Sequence, residues 1–188
     1  MIRAPAFSHR MAILPTQPPE VQNGLLDGYA PESERPPLGA RLALSSGFVA
    51  AFTTFLIVQR RSGRGLPERI EARDLALLSG ASFKLGRLIA KEKVSAPIRA
   101  PFTEYQGKAD APGEVEERPR GNGPQAAVGE LLTCPHCLGM WIVSALTAGL
   151  VTVPRETRLV ASILSALGVS DFLQVAYRAL VARGTTAS

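Results

Sequence analysis

Cysteine and aromatic residues are scarce in this 188-residue sequence, which contains two cysteines, one tryptophan and 6% aromatic residues. Two cysteines three positions apart exclude a disulfide-rich secreted scaffold. The apolar run Met11–Leu14 near the start is too short for the core of a cleavable signal peptide, so none is expected. No set of nucleophile, acid and base is specific enough to name a reaction, and we expect a non-enzymatic protein.

Charged residues are missing from three long stretches of the chain. None occurs between positions 42 and 59 or between 131 and 154, and Asp171 is the only one between 159 and 177. Since 20% of all residues are charged, charged and apolar residues must be segregated. Uncharged runs of about 20 residues match the hydrocarbon thickness of a bilayer. The sequence therefore predicts an all-α integral membrane protein, present as a multi-pass protein in the cytoplasmic membrane.

The predicted organisation alternates polar and apolar segments. The first part is rich in proline and has no apolar period, which is typical of a disordered segment. The predicted segments are a disordered tail at 1–40, a membrane helix at 41–60, a hydrophilic region at 61–133, a membrane-helix hairpin at 134–182 and a tail at 183–188.

Within the hydrophilic region, residues 74–91 have the pattern of an amphipathic helix. Leucines and alanines fall on one face, and Lys84, Arg87 and Lys91 fall on the opposite one at helical spacing. Such a helix is expected to lie flat in the membrane interface, followed by a loop at 92–129. Two to four membrane helices fit the pattern, and we favour three because a fourth would bring Lys84 and Arg87 into the bilayer.

The distribution of arginines predicts the orientation. Five arginines lie in residues 60–73, after the first predicted span, and two, Arg35 and Arg41, lie shortly before it. Because cytoplasmic loops carry the excess of basic residues, the N-terminus is expected outside and residues 60–73 inside. With three crossings, the 92–129 loop and the C-terminus would also be cytoplasmic.

The tetrad Cys134-Pro135-His136-Cys137 stands where the hydrophilic region meets the second predicted span. Proline is favoured at the first helical position, so Cys134 is expected to cap the helix, where a thiolate is stabilised. Three interpretations remain open: helix-entry packing, thiol–disulfide exchange, and metal binding by both cysteines with His136 and Glu130. In the redox interpretation Cys134 is the attacking thiol and Cys137 the resolving one.

The compartment bears on the cysteine pair. At the cytoplasmic face of a three-span protein the two thiols are expected to stay reduced. A lasting disulfide between Cys134 and Cys137 would instead favour four crossings.

Asp171 is the one acidic residue deep inside a predicted span. An ionisable group at that depth usually faces the bundle interior and has a partner. Gln174, Lys84 and Arg87 are the available partners. We expect Asp171 and Arg87 to be structural polar residues within the membrane; a proton or ion relay, or simple solvation of Asp171, is the alternative.

Three segments resemble a bacterial membrane-protein family, the domain of unknown function 1360: Ala81–Ile89, Ala96–Phe102 and Gly129–Trp141. The resemblance covers residues of about 70–180. It implies a multi-span bacterial membrane protein with a Cys-x-x-Cys-x-Gly-x-Trp element. In this chain that element is Cys134, Cys137, Gly139 and Trp141, with Glu130 just upstream. The family has no assigned activity, so the resemblance implies none.

The predicted function is a small membrane protein that organises or assists partners. A membrane thiol–disulfide protein is the alternative, and a metal-binding membrane protein is third. The expected partners are the lipid bilayer and a protein, which is a second copy or another chain. Although the net charge is +5, the basic residues flank apolar spans without interleaved aromatics, so no nucleic acid is expected. No cofactor is predicted.

Overall fold

The computed structural model describes residues 29–30, 36–63 and 65–186. The predicted disordered tail at 1–40 therefore lies mostly outside the described residues, and so do the last two residues of the C-terminal tail. In order along the chain the elements are α1 (Leu38–Arg61), α2 (Ala72–Ala90), a 3₁₀ turn (Lys93–Ser95), α3 (Ala96–Arg99), β1 (Thr103–Lys108), β2 (Val115–Pro119), α4 (Gly123–Thr133), α5 (Pro135–Thr152) and α6 (Pro154–Thr186).

Helices dominate the fold, as the sequence predicts. Among the described residues, three helical segments are long and apolar enough to cross a membrane: Leu38–Arg61, Pro135–Thr152 and Pro154–Gly184. They overlap the three stretches that contain no charged residue apart from Asp171. Val153 alone separates α5 from α6, and Gly149 lies beside Thr157 across that turn. These two helices therefore form an antiparallel hairpin.

Helix α2 packs between α5 and α6. Leu78 and Ala81 form a buried cluster with Ala161 of α6. On the other side, Ala90 is buried against Leu138 and Ile142 of α5. Small residues allow this contact on two sides, because a bulky side chain on either face would hold the helices apart.

Gly80 shows how closely α2 approaches α6. A Cβ atom at Gly80 would lie 2.8 Å from Oγ of Ser165. That hydroxyl also donates a hydrogen bond to the carbonyl oxygen of Leu77 at 2.8 Å. The side chain of Ser165 therefore packs directly against the backbone of α2.

The pairings along the helices show their directions. Asp74 pairs with Arg158 and, further along both helices, Lys84 pairs with Asp171, so α2 and α6 run parallel. The Ala90 end of α2 packs near the beginning of α5, so these two run antiparallel.

Helix α1 runs in the same direction as α5. Arg41 pairs with Glu130, just before α5, and the ring of Phe48 packs edge-on against Trp141 at 5.1 Å between centroids. The four long helices α1, α2, α5 and α6 therefore alternate in direction along the chain.

The packing corrects the prediction of a flat amphipathic helix at 74–91. The helix exists, but it runs alongside α5 and α6 instead of across their ends. Part of its basic face is also buried, because Lys84 is 7% exposed and lies against the carboxylates of Glu92 and Asp171. The hydrophobic periodicity describes one buried face and contains no information about ionic partners that come from distant segments.

The 92–129 region is also more ordered than the predicted loop. Strands β1 and β2 form an antiparallel hairpin in which Thr103 pairs with Pro119 and Lys108 with Val115. The fold is therefore not purely α-helical. The strands, TEYQGK and VEERP, are polar and lack the apolar alternation by which half-buried strands are recognised. We call the end of the bundle that contains residues 91–134 the hairpin end.

Candidate functional site

The hairpin end contains a network of ion pairs centred on Lys84. Its Nζ contacts Oδ2 of Asp171 on α6 at 2.7 Å and also the carboxylate of Glu92, which follows α2. The predicted partner of Asp171 is thus found, whereas Gln174 lines the neighbouring cavity. Two carboxylates against one ammonium link α2, α6 and the segment after α2.

Arg87 forms the next pair towards the hairpin. Its guanidinium contacts both carboxylate oxygens of Glu114, at 2.6 and 2.7 Å. Lys91, one turn further on, pairs with Glu116 at 2.9 Å. The basic face of α2 is therefore matched by acidic residues that immediately precede or begin β2.

A cavity of about 360 Å³ lies beside this network. Its lining combines charged groups with the stacked rings of Phe83 and Phe172, whose centroids are 5.4 Å apart. The charged groups are Lys84, Arg87, Glu92, Glu114, Asp171 and Arg178. Most of these charges form ion pairs with one another, so the cluster links α2 to α6 and to the segments that follow α2 and precede β2.

Arg99 fixes the hairpin to the bundle. It is fully buried, and its Nε and Nη2 donate to the two carboxylate oxygens of Glu117 at 2.6 and 3.0 Å. Its Nη1 donates to Oγ of Ser95 and to the carbonyl oxygen of Ile89, both at 2.6 Å. A buried ion pair needs additional hydrogen bonds of this kind to offset its desolvation.

The charge state of Glu117 follows from these contacts. Burial acts to raise the pKa of Glu117, but hydrogen bonds from Arg99 and Thr103 outweigh that effect and leave it below the usual value. The carboxylate is therefore ionised at neutral pH. Sequence reasoning missed this pair. The one available signal was a cluster of three acidic residues, Glu114, Glu116 and Glu117, in a region predicted to be a loop.

Cys134 and Cys137 lie at the start of α5. Pro135 is the first residue of the helix, and Cys134 caps it, with its Sγ accepting the backbone N–H of Cys137 at 3.1 Å. This confirms the predicted cap. The two sulfur atoms are joined in a disulfide, which differs from the expectation of reduced thiols at a cytoplasmic face.

The proposed metal ligands are not assembled into one site. Glu130 accepts a hydrogen bond from Nε of Arg41 at 2.7 Å, and both cysteine sulfurs are in the disulfide. His136 is exposed on the first turn of α5. Across the part of the chain that the structure describes, no group of three or more histidine, cysteine or acidic residues is arranged to hold a metal ion.

Trp141, the tryptophan of the Cys-x-x-Cys-x-Gly-x-Trp element, lies two turns into α5 and contacts Phe48 of α1. Ring contacts of this kind contribute about 0.5–1.5 kcal/mol beyond the buried area. In this structure the indole joins α1 to the rest of the bundle.

Comparison with known proteins identifies relatives over the bundle and hairpin. Residues 77–177 match the model of the family described as "Protein of unknown function (DUF1360)". Two Bacillus subtilis (strain 168) proteins are similar. "Sporulation protein YjcA" is 31% identical over 107 residues, which is 56% of this chain and 91% of that protein. "UPF0713 protein YngL" is 28% identical over 109 residues, 58% of this chain and 82% of that protein.

No solved structure matches the chain. The matched residues include α2, the hairpin, the cysteine pair and most of α6, which agrees with the range of the resemblance seen in the sequence. The chain therefore belongs to the DUF1360 family, whose function is unknown.

Proposed function

We propose that this protein is a multi-pass protein of the cytoplasmic membrane whose hairpin end binds a second membrane protein. Membrane insertion is supported by large apolar side chains that α1 and α6 leave exposed. Val49, Leu159 and Leu173 are 61%, 64% and 65% exposed. Many exposed large apolar side chains along a long helix are normal for the lipid-facing surface of a membrane helix.

The packing favours four crossings over the three that the sequence suggests. Because α2 runs parallel to α6 and antiparallel to α5, it must cross the bilayer wherever they do. Charge within α2 is tolerated in a membrane when it faces the bundle and is paired. Asp74 pairs with Arg158, Lys84 with Asp171 and Glu92, and Arg87 with Glu114.

Four crossings place both ends of the described chain and the hairpin on one side of the membrane. The short segment at residues 60–73, which we call the arginine loop, lies on the other side. It carries five arginines in 14 residues, whereas residues 91–134 carry six basic residues in 44. This higher density of basic residues is the argument for placing the arginine loop in the cytoplasm. We therefore propose that the hairpin end is extracytoplasmic, opposite to the position that three crossings would give the 92–129 region.

The binding role rests on what the hairpin end exposes. Its acidic and basic side chains are largely used in internal pairs, as described above. In contrast, Val94, Ile98 and Tyr105 are 74%, 69% and 63% exposed. Aromatic and large apolar side chains are the usual anchors of protein–protein interfaces. This exposed apolar set is the observation that supports partner binding most directly.

Photo-crosslinking in cells tests the proposal. A photoreactive amino acid at Ile98 or Tyr105 should give an adduct with one other membrane protein. The same group at Arg118, which is exposed on the neighbouring strand with its charge paired to Glu104, serves as the control and should give little of it. Adducts only with lipid, only with a second copy of this chain, or equally from Arg118 would contradict the proposed role.

A further inference from the structure

The two cysteines of the Cys134–Cys137 disulfide are unequally exposed. Cys137 and the neighbouring His136 are exposed, whereas Cys134 is half-buried between the end of α4 and the first turn of α5. Thiolate attack on a disulfide depends on which sulfur can be reached. An incoming thiolate therefore has better access to Cys137 than to Cys134.

The opposite sulfur is placed to accept the negative charge. Cys134 is the cap of α5, an 18-residue helix, and its Sγ accepts the N–H of Cys137 at 3.1 Å. A thiolate at a helix N-terminus is stabilised by the free N–H groups and the helix dipole. The thiol that is the better anion is also the better leaving group in exchange.

The first turn of α5 packs against α2 on one side. Leu138 is 7% exposed and packs with Ala90 of α2, while the backbone of Pro135 lies against Gly86. A Cβ atom at Gly86 would be 3.4 Å from the carbonyl oxygen of Pro135. The turn thus has one side buried against α2 and one side exposed to solvent, and Cys137 lies on the exposed side.

We propose that this disulfide is a thiol–disulfide exchange site for a dithiol protein, with the partner attacking Cys137 and Cys134 leaving. This reverses the roles that the spacing alone suggests. The extracytoplasmic location of the site rests on the proposed topology, whereas the choice of attacked sulfur does not.

The exchange balances without any further reagent. The partner's first thiolate forms a bond to Sγ of Cys137, the Cys134–Cys137 bond breaks, and the electron pair stays on Sγ of Cys134. The partner's second thiolate then attacks the partner's first sulfur, which is bonded to Cys137 in the mixed disulfide. This forms the partner's disulfide and releases Cys137 as a thiolate. Two electrons pass from the partner, which becomes a disulfide, to the pair, which takes up two protons and becomes a dithiol.

The attacked sulfur is identified on the purified, oxidised full chain in detergent. Reduced glutathione is the probe, the reaction is stopped with acid at early times, and fragment-ion mass spectrometry locates the glutathione. We expect an excess on the order of tenfold at Cys137 over Cys134. Equal labelling, preference for Cys134, or no exchange would overturn the inference, whatever the topology of the protein proves to be.

The partner is tested in cells with single substitutions. In Cys134→Ser the free thiolate of Cys137 can attack the disulfide of an oxidised partner, which forms a mixed disulfide and releases one partner thiolate. This adduct should accumulate on non-reducing gels, because the thiol of Cys134 that completes the exchange in this reverse direction is gone. Cys137→Ser should accumulate far less. Serine is a favourable N-cap, so the helix start is preserved, and equal thermal stability of the two variants in detergent checks this. No adduct from Cys134→Ser, or an equal amount from both variants, would overturn the proposed partner reaction.

Discussion

Replacing Arg99 with methionine should release the hairpin from the bundle. Methionine keeps a long apolar side chain but leaves the carboxylate of Glu117, which is 6% exposed, without its cation. It also removes the hydrogen bonds that Nη1 of Arg99 makes with Ser95 and Ile89. Breaking a buried ion pair by removing one partner costs about 3–5 kcal/mol.

Amide hydrogen exchange in detergent measures this cost locally. If the hairpin opens as a unit, a loss of about 3–5 kcal/mol increases its opening equilibrium by more than about 100-fold, since about 1.4 kcal/mol corresponds to a factor of ten. Protection should fall in Thr103–Lys108 and Val115–Pro119. The amides of α5 should keep theirs, because regions of a protein open with different free energies.

Arg118→Met is the matched control. It removes the same kind of side chain from the same hairpin, but the pair between Arg118 and Glu104 is 66% and 43% exposed. Exposed pairs contribute about 0–1 kcal/mol. If Arg99→Met and Arg118→Met reduced protection equally, the buried pair would not be what fixes the hairpin.

Two further changes test the ionic contacts. Asp171→Leu should lower the free energy of unfolding in detergent by about 1–3 kcal/mol, because it leaves the buried cation of Lys84 short of an acceptor. Asp171→Asn keeps a hydrogen-bond acceptor and should be milder. If both variants were as stable as the parent, the contact with Lys84 would not be structural. The pKa of Glu117 is below its ordinary value of 4.5, so its contribution to stability is present above about pH 4.5 and is lost as the pH falls through the folded-state pKa. Protection of the hairpin amides from hydrogen exchange should therefore decline on acidification below about pH 4.5. The decline should be less steep in Glu117→Gln. Identical pH profiles of the parent and this variant would contradict the account.

The long apolar helices are predictable from the sequence because the physical signal lies within each segment. The uncharged runs need no distant contact to be recognised, and α5 begins at Pro135 where the residue pattern predicts a helix start. The cap formed by Cys134 is likewise a local feature. For these elements sequence and structure agree to within a few residues.

The position of α2 and the hairpin depend on contacts between distant residues. Lys84 looks like part of a solvated face until Asp171, 87 positions away, is placed beside it. The polar strands are ordered by Arg99 and Glu117, which no periodicity connects. The unequal exposure of the two cysteines also depends on tertiary packing. The spacing of the two residues in the sequence does not indicate which of them is exposed.

The number of crossings is the central claim, and labelling of single cysteines tests it most directly. In a Cys134→Ser/Cys137→Ser background, cysteines replace Ser62 in the arginine loop, Asp110 in the hairpin and Gly184 near the end of α6. All three positions are exposed. An impermeant maleimide applied to intact cells should label the Asp110 and Gly184 positions, while the Ser62 position should react only after the membrane is permeabilised. Labelling of the Ser62 and Asp110 positions from the same side would contradict four crossings, because α2 would then not cross the membrane.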